Sequence, residues 1–306
     1  MECTKQLVAE NSGERLDRFV FTHSRNLSRS YIQKLIEEGW ITLNSGIAKP
    51  AARLKAGDMV SIAEPPPQPS PLSPENIPLN IHYQDDNIIV IDKPAGMTTH
   101  PAPGNRSGTL VNALLGLLPK LAKSENPERP GIVHRLDKYT SGLIVVAKNR
   151  RSLENLSGQF KSKMVKKVYL ALVQGHVKPE RGIVDAPIGR DPVHRQRMAV
   201  TTAGRPAQTA YRVKRYLDGY TLLEVRPETG RTHQIRVHLA EIGYPVVGDT
   251  VYGRKSPLVA RQFLHAYKLT FRLPSNGEQV TFTTSLPEDL KAAMDNISRG
   301  SSSIEE

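Results

Sequence analysis

One twelve-residue stretch, Gly131 to Gly142, concentrates side chains that could carry out chemistry. It contains one acid, two basic residues, one histidine and three hydroxyl groups, and it leads into the apolar run 142–147. Charged groups next to a buried segment need a partner or a function. Asp137 stands between Arg135 and Lys138, and nearby cations favour the charged carboxylate. Such a carboxylate can act as a nucleophile or base, or it can form a structural ion pair that fixes the loop.

A second stretch, 226–240, combines basic residues with a turn that leads into a predicted helix. Backbone amides at the start of this helix and the side chain of Arg231 could present positive charge to an anion or to Asp137. His233 and His238 are five residues apart, which places them on different faces of a helix and does not fit a metal site. The sequence also lacks a phosphate-binding loop and a dinucleotide fingerprint. We therefore expect neither a metal nor a nucleotide cofactor.

The net charge of the chain indicates a polyanionic partner. The 306 residues include 42 Lys and Arg against 30 Asp and Glu, which gives a formal charge of +12. The segments 1–63, 64–147, 148–236 and 237–306 carry +2, −1, +12 and −1. A field concentrated in this way attracts a phosphate backbone and releases its counterions, whereas a uniformly basic surface would only aid solubility. Nucleic acid is therefore the expected partner.

Composition also bears on the compartment of the protein. The sequence has no run of eighteen apolar residues, and its first fifteen residues, MECTKQLVAENSGER, lack the apolar core of a secretory signal. We expect a cytoplasmic protein without a membrane segment. The single cysteine, Cys3, rules out a disulfide framework and a cysteine-based zinc cluster.

Proline content marks a domain boundary. Residues 64–78 hold seven of the 23 prolines and cannot form a helix or a central strand, so we expect an extended linker. Two helical patterns followed by strand patterns predict a small α/β domain over residues 1–63. The catalytic candidates lie in a larger domain over residues 79–297, and residues 298–306 are expected to be a disordered tail.

A large sheet must position the two reactive stretches. Short apolar runs bounded by turn residues predict strands, and helical periodicity predicts helices. The predicted strands are 87–91, 142–147, 168–173 and 220–225, and the predicted helices are 109–118 and 232–242. Many strands and few helices indicate an α+β core around one mixed, mainly antiparallel sheet. The loop with Asp137 would then enter a buried strand, and Arg231 would precede a helix packed on the sheet.

Three motifs of the N-terminal domain resemble the small RNA-binding module named after ribosomal protein S-four. They are GERLDRF, LSRSYIQKLIEEGWITLN and LKAGDMVSI. In that module the second helix and the following loop contact RNA phosphates. The resemblance implies that Arg25, Arg29 and Lys34 lie on the RNA face. The residue pattern itself predicts Ser28 as the cap of the second helix, with Tyr31 packed inward.

Five motifs of the larger domain resemble, in order, those of the RluA-type pseudouridine synthases. They are DDNIIVIDKPAGMTTHPA (85–102), HRLDKYTSGLIVVAKN (134–149), KKVYLALVQG (166–175), RPETGRTHQIRVHLA (226–240) and GYPVVGDTVYG (243–253). Together with the N-terminal module they look like the branch that acts on large-subunit ribosomal RNA. The resemblance implies the pseudouridine synthase fold. It also implies isomerisation of specific uridines in folded RNA without a cofactor or metal.

The resemblance assigns roles to four positions. The catalytic aspartate of the family falls on Asp137, and the arginine that helps to hold the displaced RNA falls on Arg135. The active-site tyrosine falls on Tyr169, and the arginine that pairs with the aspartate falls on Arg231. The residues alone also select Asp137 and Arg231, but they read Tyr169 as an aromatic side chain of a core strand.

A flipped nucleotide must be held by basic side chains, and Lys163, Lys166 and Lys167 are predicted to contact the flanking RNA backbone. The expected partner is large-subunit ribosomal RNA, free or within a pre-ribosomal particle, bound by a monomer. Three alternatives stay open: a pseudouridine synthase of transfer RNA, a non-catalytic RNA-binding factor for ribosome assembly, and a hydrolase that uses Asp137 as its nucleophile.

Overall fold

The protein, seen in a computed structural model, divides into two compact units, Met1–Ser70 and Pro71–Glu306. The structure describes residues 3–24, 27, 29–63, 72–101, 107–123, 130–194 and 197–302. The division between the units falls inside the proline-rich segment 64–78. No helix within these described ranges is long and apolar enough to cross a membrane.

The first unit packs two helices on a three-stranded antiparallel sheet. Its elements are β1 (Cys3–Val8), α1 (Leu16–His23), α2 (Arg29–Glu37), β2 (Ile41–Leu43) and β3 (Met59–Ala63). The strand order is β1-β3-β2, and the edge strand β1, which sequence patterns do not predict, is fixed by its pairing with β3. Ile32, Leu35 and Ile36 are buried as their spacing predicts, and Tyr31 packs against the same core. The predicted cap residue Ser28 lies outside the described residues.

Within the described residues, the second unit is built on a nine-stranded sheet. Eight of the strands follow the order β4-β5-β6-β13-β7-β12-β11-β8, and β14 is the ninth, paired with β13. Only the pairing of β6 with β13 is parallel among these described strands. A separate hairpin joins β9 and β10. These observations confirm the predicted α+β fold with its mainly antiparallel sheet. The strands are β4 (Asn80–Gln84), β5 (Ile88–Lys93), β6 (Ser141–Ala147), β7 (Lys166–Gln174), β8 (Arg181–Asp185), β9 (Ile188–Arg190), β10 (Met198–Val200), β11 (Gln208–Leu217), β12 (Tyr220–Pro227), β13 (Leu264–Arg272) and β14 (Gln279–Thr283).

The central strands are buried on both faces, which explains why they read as continuous apolar runs. Ile89 and Ile91 of β5 belong to the largest core cluster, whereas Ile88 and Val90 belong to a second cluster on the other face. All seven residues of β6 are buried. The four strands predicted from sequence are thereby confirmed, and the loop that carries Asp137 enters the sheet at β6.

Among the residues that the structure describes, four α-helices accompany the sheet: α3 (Leu110–Leu117), α4 (Arg150–Lys161), α5 (Gln234–Glu241) and α6 (Glu288–Ser302). Helix α3 begins after Thr109, which forms a reciprocal capping box with Asn112. Helix α5 begins two residues later than predicted because His233 adopts a left-handed conformation with φ of 56°. This later start sets the direction of the side chains that follow it.

The second half of the predicted linker is folded against the second unit. Leu72 and Ile77 pack on its largest core cluster. Asn112 Nδ2 also donates a hydrogen bond of 2.8 Å to the carbonyl oxygen of Ser73. Residues 64–71 lie outside the described residues. Part of the predicted linker, residues 72–78, therefore packs on the second unit, because Leu72 and Ile77 contact its apolar core.

The predicted disordered tail also differs from the structure at its start. Helix α6 continues to Ser302, where a tail from residue 298 is predicted. Leu290 and Ile297 bury one face of this helix in the core, which stabilises the turn that follows. Residues 303–306 lie outside the described residues.

Candidate active site

A cavity of about 260 Å³ lies where the loop before β6, strand β7 and the turn before α5 meet. Its wall consists of residues 133–137, Thr140, Phe160, Lys167, Tyr169, 227–236 and Leu264. The cavity brings together Asp137, Tyr169 and Arg231, which are the three residues predicted to be catalytic. The sheet achieves this because β7 lies between β13 and β12, so segments distant in sequence meet at one end of it.

Hydrogen bonds to Thr99 hold the loop that carries Asp137. Thr99 Oγ1 donates to the carbonyl oxygen of Leu136 at 2.9 Å and accepts from the amide of Leu136 at 3.2 Å. The amide of Thr140 donates to the carbonyl oxygen of Asp137 at 3.1 Å. The backbone on both sides of Asp137 is therefore fixed, while its side chain keeps 16% of its surface exposed.

Lys93 is a fully buried lysine that fastens the same loop to the segment after β5. Its Nζ donates to the carbonyl oxygens of Pro94 at 2.8 Å, Met97 at 2.9 Å and Lys138 at 3.4 Å. Burial lowers the pKa of Lys93 to about 7, although the charge of Asp137 opposes this shift. Sequence patterns miss this residue because its role depends on carbonyl groups supplied by another segment.

Arg261 fastens the loop from the other side. Its Nη1 donates to the carbonyl oxygen of Tyr139 at 2.9 Å, and its Nη2 donates to Ser141 Oγ at 3.3 Å. The same guanidinium forms a bidentate pair with Asp289 of α6, with distances of 2.6 and 3.0 Å. Two basic side chains from separate segments, Lys93 and Arg261, thus hold the successive carbonyl groups of Lys138 and Tyr139, which fixes the loop after Asp137.

The carboxylate of Asp137 is paired with Arg236, and the predicted pairing with Arg231 is wrong. Arg236 Nη1 donates to Asp137 Oδ2 at 3.1 Å, and the side chain of Arg236 is 6% exposed. The Nε of Arg231 instead donates to the carbonyl oxygen of Pro206 at 3.1 Å. Arg231 lines the cavity without supplying the ion pair.

The turn before α5 explains this difference. Gln234 Oε1 accepts hydrogen bonds from Thr229 Oγ1 at 2.6 Å and from the amide of Arg231 at 3.0 Å. The amide of Arg231 therefore forms a hydrogen bond within the turn, whereas the sequence suggested that it could bind an anion. One signal in the sequence could have identified Arg236: it stands between Ile235 and Val237 in a helix packed on the core, where a cation requires a partner.

Tyr169 lies on β7 and is 8% exposed. Its backbone pairs with Val225 on one side and Ala266 on the other, so its position is set by two neighbouring strands. Burial raises the pKa of the Tyr169 phenol, and the charge of Asp137 raises it further. The side chain is thus a neutral phenol in the wall of the cavity at neutral pH.

Two further titratable groups line the cavity. His134 stacks on Phe160 with ring centroids 4.7 Å apart, and its Nε2 accepts from the amide of Val145 at 3.0 Å. Burial lowers the pKa of His134 to about 3, and the charge of Lys167 adds to this effect, so the ring is neutral at pH 7. Lys167 Nζ donates to the carbonyl oxygen of Thr229 at 3.1 Å. Burial lowers the pKa of Lys167 to about 8.

The residues predicted to contact RNA fall into two groups in the second unit. Lys167 is half-buried in the cavity wall, whereas Arg135, Lys163 and Lys166 are exposed. Arg135 also lines the cavity, two residues before Asp137. The exposed cations can meet a phosphate backbone near the cavity, while Lys167 is available only to a group that enters it.

In the first unit, Arg29 and Lys34 are exposed on α2. Arg29 donates to the buried carboxylate of Asp17 at 3.0 Å, and Lys34 Nζ lies 3.7 Å from Glu38 Oε1. Both cations therefore keep a partner while they face solvent. Arg25 lies outside the described residues.

Potential metal ligands do not cluster in the part of the chain that the structure describes. Within it, no group of three or more His, Cys, Asp or Glu side chains is arranged to hold a metal ion. The polar groups that line the cavity include the carboxylate of Asp137, the arginine paired with it, Arg236, and the phenol of Tyr169.

Comparisons with known proteins give two matches to family models. Residues 87–241 match the model described as RNA pseudouridylate synthase, and residues 14–60 match the S4 domain. The first match contains Asp137, Tyr169, Arg231 and Arg236, and it spans the cavity from the strand before the loop to the end of α5.

Similar proteins cover nearly the whole chain. An uncharacterized RNA pseudouridine synthase of Aquifex aeolicus is 45% identical over 94% of this chain and 95% of its own length. The ribosomal large subunit pseudouridine synthase D of Nitrosomonas europaea is 44% identical over 94% of this chain and 85% of its own length. Among solved structures, human RNA pseudouridylate synthase domain containing 4 has a TM-score of 0.58 and 26% identity, and it covers 72% of this chain and 93% of its own.

Proposed function

The chain belongs to the RNA pseudouridylate synthase family, which isomerises uridine in RNA, and on this premise we propose that it modifies large-subunit ribosomal RNA with Asp137 as its essential residue. The names of several relatives support this substrate. Ribosomal large subunit pseudouridine synthase D from Nitrosomonas europaea and that from Zymomonas mobilis are 44% and 42% identical to this chain. An S4 domain and a charge of +12 fit a structured RNA partner. We propose that a monomer binds it.

The reaction exchanges one bond to the ribose for another. The bond between C1′ and the ring nitrogen N1 breaks, the uracil turns within the cavity, and C1′ joins ring carbon C5. The hydrogen on C5 leaves as a proton, and N1 gains one, so the composition of the nucleotide is unchanged. Water must stay out of the cavity while the base is detached, because it would hydrolyse the intermediate.

Asp137 supplies the negative charge that the detachment requires. Its carboxylate either attacks C1′ or removes a neighbouring ribose proton, and both routes need an ionised and oriented carboxylate. Arg236 Nη1 donates to Asp137 Oδ2 at 3.1 Å, which fixes the orientation of the carboxylate. Thr99, Lys93 and Arg261 keep the supporting loop in place without contact to the substrate.

Tyr169 acts on the base. Its ring stacks on the uracil. Burial raises the pKa of the phenol and keeps it protonated at neutral pH, so its oxygen takes the C5 proton as its own O–H proton passes to solvent. Arg135 lies at the same cavity and holds the displaced RNA strand. The exposed Lys163 and Lys166 contact the flanking backbone and offset the cost of flipping the nucleotide, which is about a few kcal/mol.

The observation that carries this proposal is a carboxylate, Asp137, that is paired with a buried arginine in a cavity that a buried tyrosine also lines. Asp137→Asn tests it, since the amide keeps the shape and loses the charge. We expect loss of turnover with an RNA affinity within about threefold of the original, because phosphate contacts supply most of that affinity. Turnover is measured on large-subunit and transfer RNA by carbodiimide adducts that stop reverse transcription, with intact mass unchanged.

Glu228→Gln is the matched control, because Glu228 also lines the cavity. A hydrolase would need such a second carboxylate, whereas the isomerase keeps its product without it. Appreciable product from Asp137→Asn would remove Asp137 from its role. Adducts confined to transfer RNA would refute the ribosomal substrate but not the reaction. Strand cleavage at abasic sites would indicate a hydrolase, and binding without adducts on any RNA would indicate a non-catalytic assembly factor.

A further inference from the structure

The arginine that pairs with Asp137 is itself held by a second carboxylate, Asp249. We propose that Asp249 is a positioning residue for the isomerisation, which acts by directing Arg236 toward Asp137. This inference rests on the proposed function of the site. It adds to that site a residue that does not line the cavity.

The guanidinium of Arg236 is divided between the two carboxylates. Its Nε donates to Asp249 Oδ2 at 2.6 Å and its Nη2 donates to Asp249 Oδ1 at 2.9 Å. The remaining nitrogen, Nη1, donates to Asp137 Oδ2 at 3.1 Å. A bidentate pair fixes the plane of a guanidinium as well as its position, so the direction of Nη1 is determined by Asp249.

Asp249 has the rigidity that such a role requires. It is 1% exposed, and its Oδ1 accepts hydrogen bonds from the amides of Val251 at 2.9 Å and Tyr252 at 3.2 Å. The amide of Asp249 donates to the carbonyl oxygen of Val246 at 3.1 Å. The Tyr252 ring lies 5.1 Å from the guanidinium carbon of Arg236 and limits its movement. The turn 249–252 therefore holds both the carboxylate and one face of the arginine.

Charge balance supports the same assignment. Burial alone would raise the pKa of Asp249, but the hydrogen bonds and charge of Arg236 keep it below its usual value. Arg236 would be an uncompensated buried cation without Asp249 whenever Asp137 engages the substrate. Because Asp249 stays paired with Arg236, Asp137 can engage the substrate without leaving Arg236 unpaired.

Asp249→Asn is the direct test. The amide oxygen can still accept the two backbone hydrogen bonds, while the amide nitrogen cannot accept one from the guanidinium. We expect kcat on large-subunit RNA to fall at least about tenfold, with KM and the dissociation constant for RNA unchanged. Glu224→Gln is the matched control, because Glu224 is a buried carboxylate with two arginine partners outside the cavity. Its kcat should equal that of the original protein.

A double-mutant cycle separates positioning from a general structural effect. If Asp249 acts through Arg236, then Asp249→Asn should change kcat by less than about threefold in an Arg236→Lys background. Additive losses would mean that Asp249 acts elsewhere and would overturn the proposal. Asp249→Glu, which keeps the charge but moves it by one methylene group, should also lower kcat.

Assays are carried out below the unfolding temperature of each variant. Full kcat in either folded variant would refute the role of Asp249 while the original protein still makes pseudouridine. Failure of both variants to fold would also overturn it, since the residue would then be structural. The absence of pseudouridine from every RNA treated with the original protein would instead refute the proposed function.

Discussion

Arg236→Lys tests whether Asp137 is paired with Arg236, as in the structure, or with Arg231, as the sequence predicts. Lysine keeps the positive charge but offers a single nitrogen in place of the guanidinium fork. Asp249 is fully buried, so the ammonium group should stay with it and release Asp137. The side chain of Asp137 would then lose the hydrogen bond that Arg236 Nη1 makes at 3.1 Å.

The expected loss of kcat follows from the hydrogen bond between Arg236 and Asp137. A hydrogen bond to a charged group contributes about 1.5–3 kcal/mol. If that energy orients the carboxylate in the transition state, its loss lowers kcat by about 10- to 150-fold, because 1.36 kcal/mol corresponds to a factor of ten. The low exposure of the pair, 6% for Arg236 and 16% for Asp137, means that solvent screens little of this energy.

The assay is pseudouridine formation under saturating RNA, read by carbodiimide adducts, with thermal unfolding as the check on folding. Arg231→Lys is the matched control, since Arg231 lines the same cavity and its Nε binds the carbonyl oxygen of Pro206. We expect Arg231→Lys to lower kcat by less than about fivefold, because the variant loses only a partly exposed polar contact. A larger loss for Arg231→Lys than for Arg236→Lys would refute the reasoning and restore Arg231 as the partner of Asp137.

Two other predictions concern stability and target choice. Because burial lowers the pKa of His134 in the folded chain from its usual 6.5 to about 3, the unfolded chain binds a proton below pH 6.5 that the folded chain does not. The free energy of unfolding should therefore fall as the pH drops below 6.5. His134→Gln keeps an acceptor for the amide of Val145 and should remove up to about 2 kcal/mol of this loss at pH 5, measured by chemical unfolding. An unchanged pH dependence in this variant would count against the prediction. Deletion of residues 1–63 should weaken the choice of uridine without removing chemistry, because each unit has its own core; a folded but wholly inactive truncation, assayed on all RNAs, would contradict this.

The local sequence pattern was sufficient to predict the central strands and to select the stretch that contains Asp137. Strands such as β5 and β6 are buried on both faces, so their continuous apolar runs identify them without tertiary information. The stretch around Asp137 could be selected because charged residues next to a buried strand require a function. The position of Tyr169 came from resemblance alone, since an aromatic residue on a strand is ordinary core material by its pattern.

Tertiary structure alone decided which side chains meet. The sequence predicts a helix from residue 232, but the left-handed backbone of His233 delays its start to Gln234. Arg231 lies in the turn before α5, where its Nε donates to the carbonyl oxygen of Pro206, whereas Arg236 lies within α5 and reaches Asp137. Lys93 and Arg261 come from two further segments that the fold brings to the loop, and Asp249 comes from a turn that it brings to Arg236. Their hydrogen bonds depend on distances through space, which spacing along the chain does not contain.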